Sequence, residues 1–288
     1  MTMPTGASRL RALLASDEVI VAPGAFDGLS ARLVEQAGFP AVYASGGAIS
    51  RSAAIPDLGL LSMTEVIERV TAIVDAVSVP VIADADTGYG NALNTRRAVR
   101  AFARSGVAAI HLEDQDFPKR CGHYDDKALI PAEEMVQKLR AARDAVGEEL
   151  VLIARTDAIA VEGLDAAIER AQRYIAAGAD VAFVEAPTTE AQIEEIARRL
   201  PQPKLINMFQ GGKTPLLPAA RLGALGYRIV IIPSDLQRAA IFAMQATLEA
   251  IRRDGDSSAV AERMVTFADR ELLIGTPDYL ALDERYRA

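Results

Sequence analysis

Three scarcities in this sequence set its class before any motif is read. It has one cysteine in 288 residues, so no internal disulfide is available and a reducing compartment is expected. Positive charge is not in excess. With 31 Lys and Arg against 39 Asp and Glu, the formal net charge is −8, and nucleic acid or anionic membrane would find no basic face. No apolar run approaches the roughly 18 residues of a membrane span. The amino-terminal MTMPTGASRL also lacks the apolar stretch of about 7–15 residues found in signal peptides. These absences describe a soluble, cytoplasmic protein. Tryptophan is missing and aromatics reach only 5%, yet half the residues are hydrophobic, which excludes wholesale disorder. No P-loop and no GxGxxG in a strand–turn–helix context occurs. No Pro/Gly/Ser-rich linker divides residues 1–288, so one domain is expected: a barrel over about 15–255 with helices over about 256–288.

What is present is a repeating alternation. Strands are expected at Val19–Ala22, Ala41–Ala44, Val81–Ala85, Ala109–Glu113, Val151–Arg155, Val181–Glu185, Lys204–Asn207 and Arg228–Ile232. Between them, Thr64–Ala76, Leu93–Arg104, Pro131–Val146 and Leu164–Ala177 carry apolar residues at helical spacing. Ser62 or Thr64 suits the cap of the first, and Pro131 the first turn of the third. Gly38, Gly106, Gly178 and Gly226 each close a helical pattern just before a strand, a recurring helix–Gly–strand joint. Continuous apolar strands alternating with helices imply a parallel sheet covered on both faces. Eight of them favour an α/β fold closed as a (β/α)8 TIM-type barrel over an open doubly wound sheet. Leu236–Arg253 and Ser258–Leu273 read as a C-terminal helical extension.

In such barrels the active site lies at the C-terminal strand ends. Those ends read Tyr43-Ala44-Ser45-Gly46-Gly47, Asp84-Ala85-Asp86, His111-Leu112-Glu113-Asp114, Arg155-Thr156-Asp157, Glu185, Asn207 and Pro233-Ser234. Asp84, Asp86, Glu113 and a further candidate, Asp114, converge from neighbouring strands, where mutual repulsion calls for a cation. Carboxylate and water ligands select Mg2+ or Mn2+ over zinc. For any one Asp, a water-facing turn that caps a helix is the alternative. For His111 the alternatives are a hydrogen-bonded core imidazole and a neighbour of the metal.

The lone cysteine and both histidines, His111 and His123, fall within 13 positions. Most single cysteines are small buried hydrophobes. Cys121 instead sits in Lys119-Arg120-Cys121-Gly122-His123, where adjacent cations stabilise thiolate and fit the thiol for acid–base work. A solvated basic loop is the alternative. Arg155 and Lys213 suit substrate carboxylates. The Gly-Gly pairs at 46–47 and 211–212 permit close backbone approach, or simply make turns.

YASGG, PDLG, DADTGYG, HLEDQ, KRCGH, ARTDA, FVEAP and NMFQGGKTP occur here in the order found in the isocitrate lyase/phosphoenolpyruvate mutase superfamily. The resemblance runs from about Pro23 to the C-terminal helices, and KRCGH resembles its carbon–carbon lyase branch. It implies an α/β barrel, Mg2+ dependence, and a homotetramer exchanging C-terminal helices. By that resemblance Asp84, Asp86 and Glu113 form the metal site, partly through water. Cys121 is the general acid/base, tuned by Lys119, Arg120 and His123. Tyr43, Ser45, Gly46, Gly47, Asp57, Arg155, Glu185, Asn207, Gln210 and Ser234 hold a di- or tricarboxylate. The implied reaction is retro-aldol cleavage of a 2-hydroxy acid to an α-oxo acid such as pyruvate and a second carboxylate. FVEAP and NMFQGGKTP resemble the enzymes acting on alkylated malates more than those acting on methylisocitrate, although Gln210 stands where those relatives carry Glu. Methylisocitrate cleavage, oxaloacetate hydrolysis and phosphonate mutase or hydrolase chemistry are the alternatives, the last without need of Cys121. A non-catalytic scaffold would have no reason to gather these residues on one face.

Overall fold

Short aliphatic and β-branched runs bounded by glycine become the eight strands of a closed parallel barrel in the computed structural model, which describes residues 4–120, 122 and 127–287. The strands are β1 Ile20–Ala25, β2 Val42–Ala44, β3 Val81–Asp84, β4 Ala109–Glu113, β5 Val151–Thr156, β6 Val181–Val184, β7 Lys204–Asn207 and β8 Tyr227–Ile232. Each pairs with its sequence neighbour, and β1 closes the barrel on β8 through Ile20–Ile229 and Pro23–Ile232. β1 continues past its expected end at Ala22. Pro23-Gly24 reads as a break, but Gly24 lets the strand pass the backbone of Pro233.

The helices follow from local chemistry. Ser62 caps Met63–Ala76, with Glu65 returning a carboxylate to the Ser62 N–H at 2.8 Å. Pro131 stands one step earlier than expected, outside the helix Ala132–Val146, because its extended backbone (ψ 137°) is not helical. Gly38, Gly106, Gly178 and Gly226 all adopt the left-handed backbone that the helix–Gly–strand joint requires.

The period-two alternation of the strands sorts their residues into two sets. Ile20, Ala22, Tyr43, Ile82, Ala109, Val151, Ile153, Val181, Phe183, Leu205, Ile229 and Ile231 fill the barrel, joined by Leu10 of the amino-terminal helix Gly6–Leu14. The alternate residues, among them Val42, Ala83, Ile110, Leu112 and Ala154, pack outward against the helices. Apart from Gly24, the remaining inward strand positions near the C-terminal ends are polar.

The chain groups into two compact units, Met1–Asp235 and Leu236–Ala288. In the second, the expected Ser258–Leu273 helix is a 3-10 turn, Ser258–Arg263, and a helix, Phe267–Ile274. A further helix, Thr276–Tyr286, starts after left-handed Gly275, where Gly-Thr-Pro reads as a stop. Phe242, Leu248, Phe267, Leu272, Tyr279 and Tyr286 are exposed apolar side chains of this unit. No helix among the described residues is long and apolar enough to cross a membrane.

A Cβ at Gly24 would overlap the Pro233 backbone, which cannot swing aside as a flexible side chain would. Gly24→Ala is therefore expected to destabilise the protein by about 1–3 kcal/mol, as overpacking does. Urea unfolding followed by circular dichroism measures it, and an unchanged midpoint would show that the closure of β1 on β8 is loose.

Candidate active site

Because strand residues alternate, Tyr43, Asp84, His111, Glu113 and Arg155 all point inward above the apolar layer of the barrel. Register brings Asp84 beside His111, and Glu113 beside Arg155. The result is a buried polar floor whose every member comes from a different turn of the same alternation.

The acids of this floor resist ionisation. Burial raises the pKa of Asp84 and Asp86 against the opposing field of Lys119, and raises that of Glu113 well above the carboxylate range against Arg155. Glu113 is fully buried, and its Oε1 receives no hydrogen bond. Its Oε2 lies 3.1 Å from Arg155 Nη1 without hydrogen-bond alignment. Lys119 Nζ is 2.5 Å from Asp57 and 3.0 Å from Asp86. Burial disfavours its charge, but Asp86, Asp57 and Asp84 hold its pKa well above the usual lysine value. Lys119 thus serves the acids of the floor.

His111 settles between its two expected readings. Its Nε2 lies 2.8 Å from the Tyr43 hydroxyl and 3.5 Å from Asp84 Oδ1, and Nδ1 has no partner. Burial, followed by the field of Arg155, pushes its pKa down to about 3, so the ring is neutral. A proton on Nε2 would donate to the Tyr43 oxygen and leave the phenol to donate to Asp84, 3.5 Å away.

Two glycines are required by space. A Cβ on Gly46 would come within 2.6 Å of the Asp84 carboxylate, and one on Gly47 within 2.8 Å of both Arg51 and Asp57. The backbone after β2 therefore runs directly against the acids. The Ser45 hydroxyl is committed locally, accepting from the Ala48 N–H at 3.3 Å as the cap of Gly46–Ser52.

Asp114 does not join the floor. One residue beyond Glu113, it has the opposite parity and faces the helix Leu164–Ala176, accepting from Thr156 Oγ1 (2.7 Å), Tyr174 (2.8 Å) and Arg170 (3.3 Å). Asp157, which sequence reasoning passed over, does join it. It accepts from Arg155 Nε at 2.8 Å and from Lys127 at 2.7 Å. Burial would raise its pKa, but Arg155 and Lys127 hold it below the ordinary range. Its parity with Glu113 and Arg155 was the available signal.

The far side of the floor is less converged. Asn207 Nδ2 donates to Glu185 at 3.3 Å. Gln210 is exposed, its N–H donating to Asp235 at 3.2 Å, and the Ser234 hydroxyl also meets Asp235, at 3.4 Å. Arg120 is exposed, and its backbone is held by the amide of Gln115. Cys121 and His123 lie outside the described residues.

The donor set fits a hard divalent cation. Asp84, Asp86 and Glu113 supply only oxygen; Asp84 and Glu113 are buried, Asp86 is partly exposed, and the set includes an acceptor without a donor. No three His, Cys, Asp or Glu side chains among the described residues converge tightly enough to ligate one ion directly. That suits Mg2+, which keeps most of its water and takes one or two carboxylates.

A family model described as phosphoenolpyruvate phosphomutase matches residues 10–252. The chain is 43% identical over 282 residues to a 2,3-dimethylmalate lyase of Eubacterium barkeri, covering 97% of this chain and 98% of that protein. It is 44% identical over 270 residues to a 2-methylisocitrate lyase of Aeropyrum pernix, covering 94% and 87%. The crystal structure of a phosphonopyruvate hydrolase complexed with oxalate and Mg2+ matches with a TM-score of 0.90 and 35% identity, over 98% of this chain and 99% of that one.

The raised acids give a signed expectation. A carboxyl whose folded pKa is raised stabilises the fold at low pH and loses that contribution as pH rises through the raised value. A divalent cation binds the ionised form and restores it. The gain in Tm on adding Mg2+ after EDTA should therefore be several degrees at about pH 8 and much smaller at about pH 5.5. Thermal scans at both values test it; an equal gain would remove these acids from the cation site.

Proposed function

The chain belongs to the phosphoenolpyruvate mutase/isocitrate lyase superfamily and is a carbon–carbon lyase within it, and from that premise we propose that it cleaves an alkyl-substituted malate into pyruvate and a second carboxylate. The observation that carries this reading is the placement of Asp84 and Glu113, both buried, beside Arg155 at the strand ends, with Asp86 two residues on from Asp84. Oxygen-only acids beside a fixed guanidinium suit a cation together with the carboxylate end of a 2-hydroxy acid.

When bound at Asp84, Asp86 and Glu113, Mg2+ supplies charge neutralisation and Lewis-acid polarisation of the substrate's C2 oxygen. Arg155 keeps part of its five-donor fork for the C1 carboxylate, since Asp157 and Glu113 face three of its nitrogens. Gly46 and Gly47 let the backbone lie against that end of the substrate. Tyr43 and neutral His111 orient Asp84 and bring no charge of their own. As the C2 hydroxyl proton passes to solvent water, C2–O becomes a carbonyl, the C2–C3 electron pair moves onto C3, and the fragment leaves as an enolate-like carboxylate. Cys121 then protonates its carbon, with His123 and Arg120 tuning the thiol. Glu185, Asn207, Gln210 and Ser234 line the end that receives the second fragment. A single reactive thiol of this kind fits a reducing, cytoplasmic setting.

Methylisocitrate carries one carboxylate more than a dialkylmalate, and burying it unpaired is costly. Phe209, beside Gly211-Gly212, offers apolar surface to an alkyl group and no hydrogen bond to a carboxylate. We expect kcat/KM for 2,3-dimethylmalate to exceed that for 2-methylisocitrate by at least about tenfold. Pyruvate release coupled to lactate dehydrogenase, at one Mg2+ concentration, decides it. A clear preference for methylisocitrate overturns the substrate and leaves the lyase class intact.

The exposed apolar side chains of Leu236–Ala288 support a homotetramer in which these helices are exchanged between subunits. Light scattering should give about four times the monomer mass, and Phe267→Asp should lower it by placing a charge in an apolar contact. A wild-type monomer would reject the assembly.

A further inference from the structure

Asp114 has no place in the acid floor, yet it is fully buried and holds four donors. Its Oδ1 accepts from the Asp157 N–H at 3.0 Å. Its Oδ2 accepts from Thr156 Oγ1 at 2.7 Å, from the Tyr174 hydroxyl at 2.8 Å and from Arg170 Nη1 at 3.3 Å. Arg170 and Tyr174 stand about one turn apart on the helix Leu164–Ala176. Arg170 is itself held by Glu162 and by the Ile130 carbonyl. The carboxylate is therefore anchored on the helix and reaches two consecutive residues where the chain leaves β5. The direction taken there decides where the Asp157 side chain points. That side chain turns back on Arg155, accepting from Nε at 2.8 Å on Oδ2 and from Nη2 at 3.1 Å on Oδ1. Glu113, the residue before Asp114, lies 3.1 Å from the remaining terminal nitrogen of the same guanidinium.

We propose that Asp114 is a positioning residue that sets the plane of the Arg155 guanidinium through the Asp157 N–H and the Thr156 hydroxyl, and with it the affinity for a substrate carboxylate. This rests on the reading of Arg155 as the group that receives that carboxylate. A brace of packing alone has no need of a buried charge, since apolar side chains of similar volume often stabilise such a site as well as ions do. An apolar side chain cannot orient a backbone N–H, however. A fork must be aimed, because a guanidinium meets a carboxylate through two parallel bonds only when the two groups are coplanar. Asp157 is bonded to Arg155 through two nitrogens, so rotation of its backbone is passed on to the fork. Consecutive residues of the chain thus act on Arg155, Glu113 directly and Asp114 through Asp157.

The test measures binding of oxalate, a small dicarboxylate, to the full-length protein at saturating Mg2+ by calorimetry, and binding of Mn2+ without oxalate by electron paramagnetic resonance. Asp114→Asn keeps the volume but turns an amide toward one set of donors. It should weaken oxalate binding by about 10- to 10²-fold, the range of a hydrogen bond to a charged group, with Mn2+ affinity changed less than about threefold. Thr156→Val should weaken oxalate binding and Thr156→Ser restore it, a pair of variants that leaves the buried carboxylate in place should Asp114→Asn not fold. Tyr174→Phe removes a donor on the helix side and leaves the bonds from Thr156 and Asp157; it should lower Tm yet keep oxalate affinity within about twofold. The decisive measurement is a double-mutant cycle with Arg155→Lys, which keeps the charge and loses the fork. In that background Asp114→Asn should cost less than about threefold, because the group it aims is gone. Additive losses overturn the proposal, as does a loss of oxalate affinity that Mn2+ affinity or Tyr174→Phe shares. Should Arg155→Lys bind oxalate as tightly as the unaltered protein, the carboxylate reading of Arg155 falls, and the positioning role falls with it.

Discussion

A guanidinium with almost no access to water stands among three carboxylates, and the upper half of the barrel is arranged around it. Arg155 lies 2.8 Å from Asp157, 3.1 Å from Glu113 and 3.8 Å from Glu185, with its cation 5.4 Å from the centre of the Phe183 ring. Burial alone would lower its pKa, yet the three acids hold it well above the ordinary value. Desolvating such a group is expensive, so each partner is needed and none can be removed cheaply. Asp157 fixes the angle of the fork, Glu113 ties it to β4, and Asp157 passes the constraint on to Lys127. A lysine would satisfy the charge but not the planar geometry.

Beneath this layer the barrel is apolar. The inward residues of the lower strands are Val, Ile, Leu and Ala, with Leu10 among them. The division is energetic as well as spatial. Apolar burial below supplies stability at about 25 cal/mol per Å2, and the polar layer above costs stability where its acids are pressed together. Two left-handed residues that are not glycine, Asp86 (φ 46°) and Tyr89 (φ 61°), lie in the DADTGYG turn beside the acids. Strain of that kind persists only where the surroundings over-determine the backbone. Here the Asp86 N–H donates to Asp84, and Lys138 donates to the Thr87 carbonyl.

Most of this was legible in the sequence because strand residues alternate. Once Ala109-Ile110-His111-Leu112-Glu113 is a strand, His111 and Glu113 must share a face and Asp114 must lie on the other. The run of acids alone cannot distinguish Glu113 from Asp114. The parity of the strand does. Asp157 follows by the same rule from Arg155. The Lys127–Asp157 pair was not legible, since nothing local links residues 30 positions apart whose contact depends on the path of a loop. The extension of β1 was missed for the opposite reason. Pro23-Gly24 is a strong local turn signal, overridden by the need to close the barrel against Pro233. At Gly275-Thr276-Pro277 the glycine ends one helix and the proline opens the next, within the helical stretch expected over about 256–288.

The signs of the charges explain how the segment after β4 relates to the barrel. The acids of the floor come from strand ends, joined by Asp57 from the loop after Gly46–Ser52, and two of the ammonium groups that meet them come from this segment: Lys119 on Asp57 and Asp86, Lys127 on Asp157. Neither ammonium belongs to a strand, and each shares an acid with a guanidinium: Asp157 also receives Arg155, and Arg51 lies 3.7 Å from Asp57. On the proposed reading, a divalent cation at Asp84 and Asp86 would share Asp86 with Lys119, and a dicarboxylate substrate would add negative charge beside Arg155. Cation, substrate and Lys119 would then act on the same few carboxylates, which is why the floor can carry more acid than its own cations balance.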